Sequence, residues 1–512
     1  MSERPPRLDA RTLRDLVLDP GSWTSWDTPV QPRDVDPEYA ADLARARERT
    51  RQDEAVVTGE GTLRGRRVAV VAGEFGFLAG SIGVDTAERL IRGVERATEE
   101  GLPLLAAPVS GGTRMQEGTV AFLQMIGITA AIARHKQAGL PYLVYLRDPT
   151  FGGVLASWGS LGHVTIGEPG ASIGFLGPRV YQALYGEKFP EGVQTAEHMA
   201  ERGLLDAVVP HEEIADVADR ALRVLAARQT WHLDVAGADR PTAEDGTDAD
   251  DPEDHRSAWE VVTASRRPDR PGVRRLLRTA ATDVVGLSGT GAGEKDPGLL
   301  LALARFGGAP CVVLGQDRRG QSLSAPLGPA ALREARRGMH LAEELRLPLL
   351  TLIDTPGAAL SREAEEGGLA GEIARCLEDL VMLKAPTLCV LLGQGTGGGA
   401  LALVPADRVL AAANGWLGPL PPEGASAIVH RDVDHADLMA AEQGVRATDL
   451  WRAGIVDRVV PERPDAADEP VEFCGRLGRV LGEELAGLLG RDDTERFRRR
   501  LHRYRHLGRS GG

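Results

Sequence analysis

Two short stretches of this chain combine an apolar run, glycines and the start of a helix in a way that can stabilise negative charge on oxygen. In RDPTFGGVLASWGSLG (147–162) an apolar run ends, a turn containing Pro149 follows, and Gly152 and Gly153 open a helical stretch. In LGQGTGGGALALVPADRV (392–409), Gly398, Gly399 and Ala400 open the helix in the same way. Glycine lets a backbone approach a ligand closely, and the first N–H groups of a helix point outward with a partial positive charge. Backbone donors converging on one point are the parts of an oxyanion hole. One such corner by itself is more readily a tight turn that needs positive φ; two at matching places favour the chemical meaning. A further cluster, SGGTRMQEG (110–118), follows the strand-like LLAAP. Its Gly111 and Gly112 stand at another strand-to-helix junction, and Arg114 is of the type that binds a phosphate or carboxylate, or else a solvated arginine that caps the turn.

Other stretches carry less. GLSGTGAGEKDP (286–297) is glycine-rich but lacks the GK[ST] of a phosphate-binding loop, and reads as a mobile connection. VMLKAP (381–386) places Lys384 between a helix and a core strand, where no biotinylation signature surrounds it. Eleven histidines form no HxH or HExxH, so no metal site is expected. The basic RFRRRLHRYRHLGRS (496–510) is expected as a solvated helix or a subunit contact before a nucleic-acid surface. There is no GxSxG elbow, no cysteine beside a catalytic histidine and no evident carboxylate pair. An enzyme with two oxyanion holes and no nucleophile or base of its own draws its reactive groups from substrate or cofactor.

The elements that must position these corners occur twice. GLPLL around Pro103 is followed by GLPYLVYL around Pro141, and RLPLLTLI around Pro348 is followed at the same spacing by KAPTLCVLL around Pro386. Each half closes on one phrase, GLLDAVVP (203–210) and GIVDRVVP (454–461). The offset between the halves stays nearly constant from the first landmark pair, Pro103 and Pro348, to the last, Pro210 and Pro461. Ordered landmarks at matched spacing predict an internal duplication. Within each half, strand-length runs such as RVAVVAG (67–73) and PLLTLID (348–354) alternate with helical stretches such as 117–139 and 371–385, which predicts an α/β fold with largely parallel pairing. The expected organisation is an N-terminal domain over 1–233, an acidic linker over 234–258 and a C-terminal domain over 259–512.

The 512 residues are 42% hydrophobic and 26% charged, ordinary for a globular chain with a large core. No apolar run approaches the ~20 residues of a membrane span, and the N-terminus has no apolar signal region. Cys311, Cys376, Cys389 and Cys474 are widely scattered with no CxxC pair, which excludes a zinc ribbon or disulfide framework and fits the cytosol. The net charge of −14 argues against nucleic acid as the main partner. It is concentrated: nine acids and one arginine between Asp234 and Asp254 give −8, leaving −6 elsewhere.

These phrases resemble the carboxyltransferase component of biotin-dependent acyl-CoA carboxylases, most closely that of bacterial acetyl-CoA carboxylase. LDPGSW (18–23), SGGTRMQEG, DPTFGGVLASWGSLG, EPGASIGFLGPRV (168–180) and GLLDAVVP are similar to the β subunit. SRRPDRP (265–271), PLLTLIDTPGA (348–358), GEIARCL (371–377), GQGTGGGALAL (393–403) and PPEGASAIV (421–429) are similar to the α subunit, so the chain resembles β and α fused head to tail. The resemblance implies two tandem crotonase-like (ClpP/crotonase superfamily) domains. It also implies a reaction in which carboxybiotin on a separate carrier protein releases CO₂, the biotin anion removes an α-proton from acetyl-CoA, and the thioester enolate attacks CO₂ to give malonyl-CoA. By this resemblance Gly152 and Gly153 would form one oxyanion hole, two of Gly398, Gly399 and Ala400 the other, and Gly111, Gly112 and Arg114 would border the CoA. The implied partners are the biotin carboxyl carrier protein, biotin carboxylase and further copies of this chain, in the cytoplasm and with no metal in the chain. Two stretches depart from the family pattern: no cysteine-based zinc ribbon precedes the first half, and ALSREAEEGG (359–368) replaces the usual continuation after IDTPGA. A short acyl-CoA other than acetyl-CoA fits the resemblance too, as do a biotin-independent malonyl-thioester decarboxylase and a non-catalytic scaffold subunit.

Overall fold

A computed structural model describes residues 7–30, 35–227, 255–322 and 326–506. The acidic stretch expected as a linker lies, up to Asp254, outside the described residues. The chain forms two compact units, Met1–Leu222 with Gly291–Gly293, and Arg223–Thr290 with Glu294–Gly512. The division falls inside the helix Ile214–Leu225, earlier than the boundary expected at 233.

Each unit is built on a seven-stranded sheet. In the first unit the strands are β1 (Thr24–Ser25), β2 (Val56–Leu63), β3 (Arg66–Gly73), β4 (Leu104–Ala107), β5 (Tyr142–Leu146), β7 (Val164–Gly167) and β9 (Ala207–Val208), in that spatial order. β6 (Thr150–Phe151) and β8 (Ile173–Gly174) form a separate parallel pair. In the second unit the order is β10 (Thr282–Leu287), β11 (Leu299–Phe306), β12 (Ala309–Gln316), β13 (Leu349–Thr355), β14 (Thr387–Gly395), β15 (Arg408–Ala412) and β16 (Arg458–Val460). In both sheets the first two pairings are antiparallel and the remaining four parallel.

Helices on the sheet faces explain why β4, β5 and β13 are buried along their whole length and read as continuous apolar runs. Val84–Glu99 and Gly118–Gln137 carry the crossovers between β3, β4 and β5; Pro329–Leu345 and Leu369–Met382 do the same between β12, β13 and β14. The helices Val84–Glu99 and Pro329–Leu345 both start from a glycine in extended conformation, Gly83 and Gly328, which hold the same place in the two units. A large apolar cluster forms the core of each unit, around Leu90, Ile128, Val144 and Trp158 in the first and around Phe306, Val313, Leu350 and Phe473 in the second.

The basic C-terminal stretch differs from the solvated helix expected of it. On Asp493–His506, Arg496 and Arg500 are almost completely buried and both bind Asp407, Arg500 through two hydrogen bonds of 2.8 and 3.0 Å. Arg503 pairs with Asp457 at 2.7 Å. Opposite charge inside the same unit therefore answers much of this apparently basic surface. The glycine-rich 286–297 stretch connects β10 to β11 and is tied down by its neighbours: Glu334 Oε1 accepts the Gly289 N–H at 2.9 Å, and Arg333 pairs with Glu294.

Candidate active site

In the first unit the chain leaves β5, passes β6 and turns at Gly152, whose φ of +67° lies in the left-handed region that favours glycine. The Gly152 N–H donates to the Phe175 carbonyl at 3.0 Å. A helical segment follows, with Ala156 N–H on Gly152 O at 3.1 Å and a wide turn closed by Gly159 N–H on Val154 O at 2.9 Å. Among the described residues, the N–H groups of Gly153 and Val154 have no acceptor. These are the orphan donors that every helix start leaves.

The second corner repeats this backbone, with Gly397 in the place of Gly152. Gly397 has φ +63° and donates its N–H to the Gly418 carbonyl at 3.0 Å. The helix Gly397–Leu401 then begins, with Thr396 as its N-cap. The N–H groups of Gly398 and Gly399 precede the intrahelical ladder, whereas Ala400, the fourth helical residue, is where that ladder starts. The outward donors are thus Gly153 and Val154 in one unit and Gly398 and Gly399 in the other. Gly152 makes the turn with its N–H committed to Phe175, and the Ala400 N–H belongs to its own helix.

Beside each corner runs a loop of matching geometry. Ser110 Oγ accepts the Gly112 N–H at 2.9 Å, Gly112 has φ +121°, and Ile82 bridges to Thr113. In the second unit Thr355 Oγ1 accepts the Gly357 N–H at 3.2 Å, Gly357 has φ +135°, and Leu327 bridges to Ala358. The N–H groups of Thr113 and Ala358 are likewise without an acceptor among the described residues. Loop and corner lie close together: a Cβ on Gly153 would stand 3.6 Å from Thr113 Oγ1, and one on Gly399 would stand 3.3 Å from the Ala358 nitrogen. Each unit therefore brings uncommitted main-chain donors from two neighbouring segments close together, as an oxyanion hole requires. Thr113 and Ala358 escaped notice in the sequence because main-chain donors carry no residue signature.

Gly111 and Gly112 belong to this loop, and the Gly111 N–H is held by Ala79 O at 2.8 Å. Arg114 departs from the expectation of a ligand-binding side chain. It is about 1% exposed and binds Glu54 through Nη1 and Nη2 at 2.7 and 2.9 Å. Its remaining donors reach the Ser81 carbonyl, Thr86 and the Tyr39 hydroxyl. Burial alone would lower its pKa, but the Glu54 carboxylate more than offsets this and holds it above the ordinary arginine value. Burial likewise works against ionised Glu54, yet the Arg114 hydrogen bonds and charge hold that carboxyl below its usual range. Tyr39, which donates to Glu117 at 2.5 Å, is pushed up to about 12 by burial and by that carboxylate. Arg114 thus fixes the loop from behind rather than facing a ligand.

The stretch 359–368, which departs from the family pattern, forms the short helix Arg362–Glu366 capped by Ser361, and leaves Leu360 96% exposed. Among the described residues no group of side chains is arranged to hold a metal ion, and no helix is long and apolar enough to cross a membrane.

In each unit an α/β sheet carries main-chain donors gathered at a glycine corner, the parts from which oxyanion-stabilising enzyme sites are built. The family follows from comparison: residues 7–496 match the carboxyl transferase domain model, and the chain belongs to that family, the carboxyltransferases of biotin-dependent acyl-CoA carboxylases. It is 59% identical over 502 residues to the "Probable biotin-dependent acyl-coenzyme A carboxylase beta3 subunit" of Mycobacterium tuberculosis, covering 98% of this chain and 99% of that one. It is 36% identical over 522 residues to the acetyl-coenzyme A carboxylase carboxyl transferase subunits beta/alpha of Salinispora tropica, covering 99% and 91%. Among solved structures, transcarboxylase 12S shares the fold with a TM-score of 0.71 at 23% identity, over 92% of this chain and 89% of that one.

Proposed function

We propose that this chain moves a carboxyl group from carboxybiotin, borne on a biotin carboxyl carrier protein, to acetyl-CoA or another short acyl-CoA, giving malonyl-CoA or its homologue. The observation that carries this reading is the pair of corners. Each holds uncommitted N–H donors from a helix start and a neighbouring loop, and two oxyanions arise when a carboxyl group passes between a ureido ring and a thioester. Carboxybiotin, when bound, supplies the carboxyl group and, after its release, the base for the α-proton. The chain's own residues then do the following. Gly153, Val154 and Thr113, and Gly398, Gly399 and Ala358, hold developing negative charge on oxygen. Gly111 and Gly112 shape the loop proposed to border CoA, and Arg114 keeps that loop in place. Removing one such donor elsewhere costs about 3 kcal/mol of transition-state stabilisation, so two holes account for a large share of a barrier of this kind.

The two units are proposed to be tandem crotonase-like domains descended from one duplicated ancestor; the shared strand order and the matching positions of Gly112 with Gly357 and Gly152 with Gly397 support this. The proposed setting is the cytoplasm, with biotin carboxylase as a further partner and a dimer or larger assembly of this chain. On the helix Gly118–Gln137, whose Met125 lies against Gly153, Val120, Phe122 and Ile126 are 60–68% exposed, an apolar face suited to a partner subunit.

The test runs the reaction backwards with purified chain, malonyl-CoA and free biotin or biocytin, and repeats it with methylmalonyl-CoA. Acetyl-CoA that forms only when biotin is present supports the transferase, and the ratio of the two rates sets the acyl chain. Acetyl-CoA formed without biotin would replace this reading with that of a decarboxylase.

A further inference from the structure

We propose that Gln316 is a positioning residue for the second corner, clamping the Gly399 peptide to the backbone of Asp354 and so fixing the direction of the donors there. The proposal rests on the assignment of that corner as an oxyanion hole. Gln316 ends β12 and is completely buried. Both ends of its amide are used: Nε2 donates to the Gly399 carbonyl at 2.7 Å, and Oε1 accepts the Asp354 N–H at 3.1 Å. Gln321 extends the link. Its Nε2 donates to the Asp354 carbonyl at 3.1 Å, and its Oε1 accepts from Thr355 Oγ1 at 2.6 Å. Because Thr355 in turn holds Gly357, a continuous run of hydrogen bonds joins the helix start to the loop that carries Ala358.

The first corner shows why such a brace is needed. The pairings Ala69↔Leu104 and Val312↔Leu349 place Gly73 at the position of Gln316. The register that matches Gly152 with Gly397 places Val109 at the position of Asp354 and Val154 at that of Gly399. There the helix start is anchored by its own side chain: Val154 is completely buried in the apolar cluster, and a Cβ on Gly73 would already stand 3.0 Å from Val109. Gly397–Gly399 has no side chain to anchor, and three successive glycines have the greatest backbone freedom a chain offers. The Gln316 amide supplies from outside what Val154 supplies from within.

Gln316→Met keeps the length of the side chain and removes its hydrogen bonds; Gln316→Glu keeps an acceptor for Asp354 but offers no donor to Gly399. In folded Q316M, amide hydrogen exchange over 398–403 is expected to rise about tenfold or more, with 153–158 unchanged. In the assembled carboxylase, kcat is expected to fall about 10- to 100-fold while KM for the acyl-CoA stays within about twofold, because the loss is of alignment and not of binding. Q316E is expected to follow Q316M, and it carries the same comparison if Q316M does not fold. Unchanged exchange over 398–403, or raised exchange with unchanged kcat, would overturn the proposal. A wild-type complex without biotin-dependent turnover would sink the functional reading alone; the exchange experiment needs no turnover and still decides whether Gln316 is the brace.

Discussion

The two corners have nearly the same backbone and quite different supports. Gly152 and Gly397 turn at φ +67° and +63°, Gly112 and Gly357 at +121° and +135°, and the neighbouring bridges match residue for residue. Behind the first loop stands a buried ion pair, Arg114 with Glu54, joined by Tyr39 and Glu117. Behind the second stand two neutral amides, Gln316 and Gln321, with the buried carboxyl of Asp354, whose pKa burial raises against the opposing charges of Arg318 and Arg270. Further round each unit, corresponding helix positions carry opposite charges: Arg89, paired with Asp53 at 2.8 Å, and Glu334. What is common to the two units is the direction of main-chain N–H groups, and side chains of unrelated chemistry maintain it. This is the pattern expected if the main chain does the chemistry.

The largest break in this comparison comes from Arg114→Met. Arg114 and Glu54 are each about 1% exposed, so the substitution strands a buried carboxylate and is expected to destabilise the first unit by about 3–5 kcal/mol in denaturant titration. Adding Glu54→Leu removes the stranded charge and is expected to restore most of that loss. The pH dependence has a definite sign. The folded-state pKa of Glu54 is depressed, so the pair stabilises the protein above the ordinary carboxylate range and loses that contribution as pH falls through the depressed value. The second unit has its own buried pair of this kind, Arg270 with Glu462, whose carboxyl is also held below its usual range, so acid weakens both units; what differs is that only in the first does the pair stand behind the loop beside the corner.

Next come the donors themselves. Gly153→Val and Gly398→Val put a branched side chain on the residue that carries each proposed donor and so shift that donor, and each is expected to lower kcat about 10²–10³-fold. Their steric settings differ: a Cβ on Gly398 would stand 2.7 Å from Ile373 Cδ1, whereas one on Gly153 meets the more yielding Met125 side chain at 3.2 Å. Steady-state kinetics on folded variants would sharpen the comparison. Equal losses mean both holes act in the slow step; loss in only one assigns the slow step to that unit.

Much of this was legible in the chain itself, and the exceptions have physical causes. The apolar runs at 140–146 and 348–354 became β5 and β13 because strands covered on both faces must be apolar throughout. The glycine corners could be located because positive φ at a strand-to-helix turn selects glycine. Which N–H groups remain uncommitted could not be read, since that depends on carbonyls such as Phe175 O and Gly418 O that folding brings back over the turn. Arg114 looked like a ligand-binding residue because its partner Glu54 lies far upstream, before three intervening strands and a helix. The basic C-terminal helix misled for the same reason, with Asp407 well upstream of Arg500 on a different element.

A smaller effect is expected from Glu334→Gln. Burial pushes this carboxyl up to about 7, and its Oε2 has no hydrogen-bond partner. A carboxyl with a raised folded-state pKa is neutral more readily when folded, so it weakens the fold increasingly as pH rises from its unfolded value to about 7. The glutamine variant is expected to gain on the order of 1–3 kcal/mol at pH 8 and almost nothing at pH 4.5. A matching substitution of Arg89 should instead lose stability at both pH values, because Arg89 is paired with Asp53.

The finest test compares the hydroxyls that hold the two loops. Ser110 and Thr355 are both completely buried, and each accepts an N–H from the glycine next but one along the chain, Gly112 or Gly357. Removing Ser110 Oγ leaves one amide without its acceptor, so Ser110→Ala is expected to cost about 1 kcal/mol. Thr355→Ala removes the same acceptor and also the donor to Gln321 Oε1, so its cost is expected to be larger, by about 1 kcal/mol again. Thermal unfolding of the two variants under one set of conditions measures the difference. If Thr355→Ala costs no more than Ser110→Ala, the amide link through Gln321 contributes nothing to the loop. The contrast between the two corners would then rest on Gln316 and Asp354 on one side and the Arg114–Glu54 pair on the other.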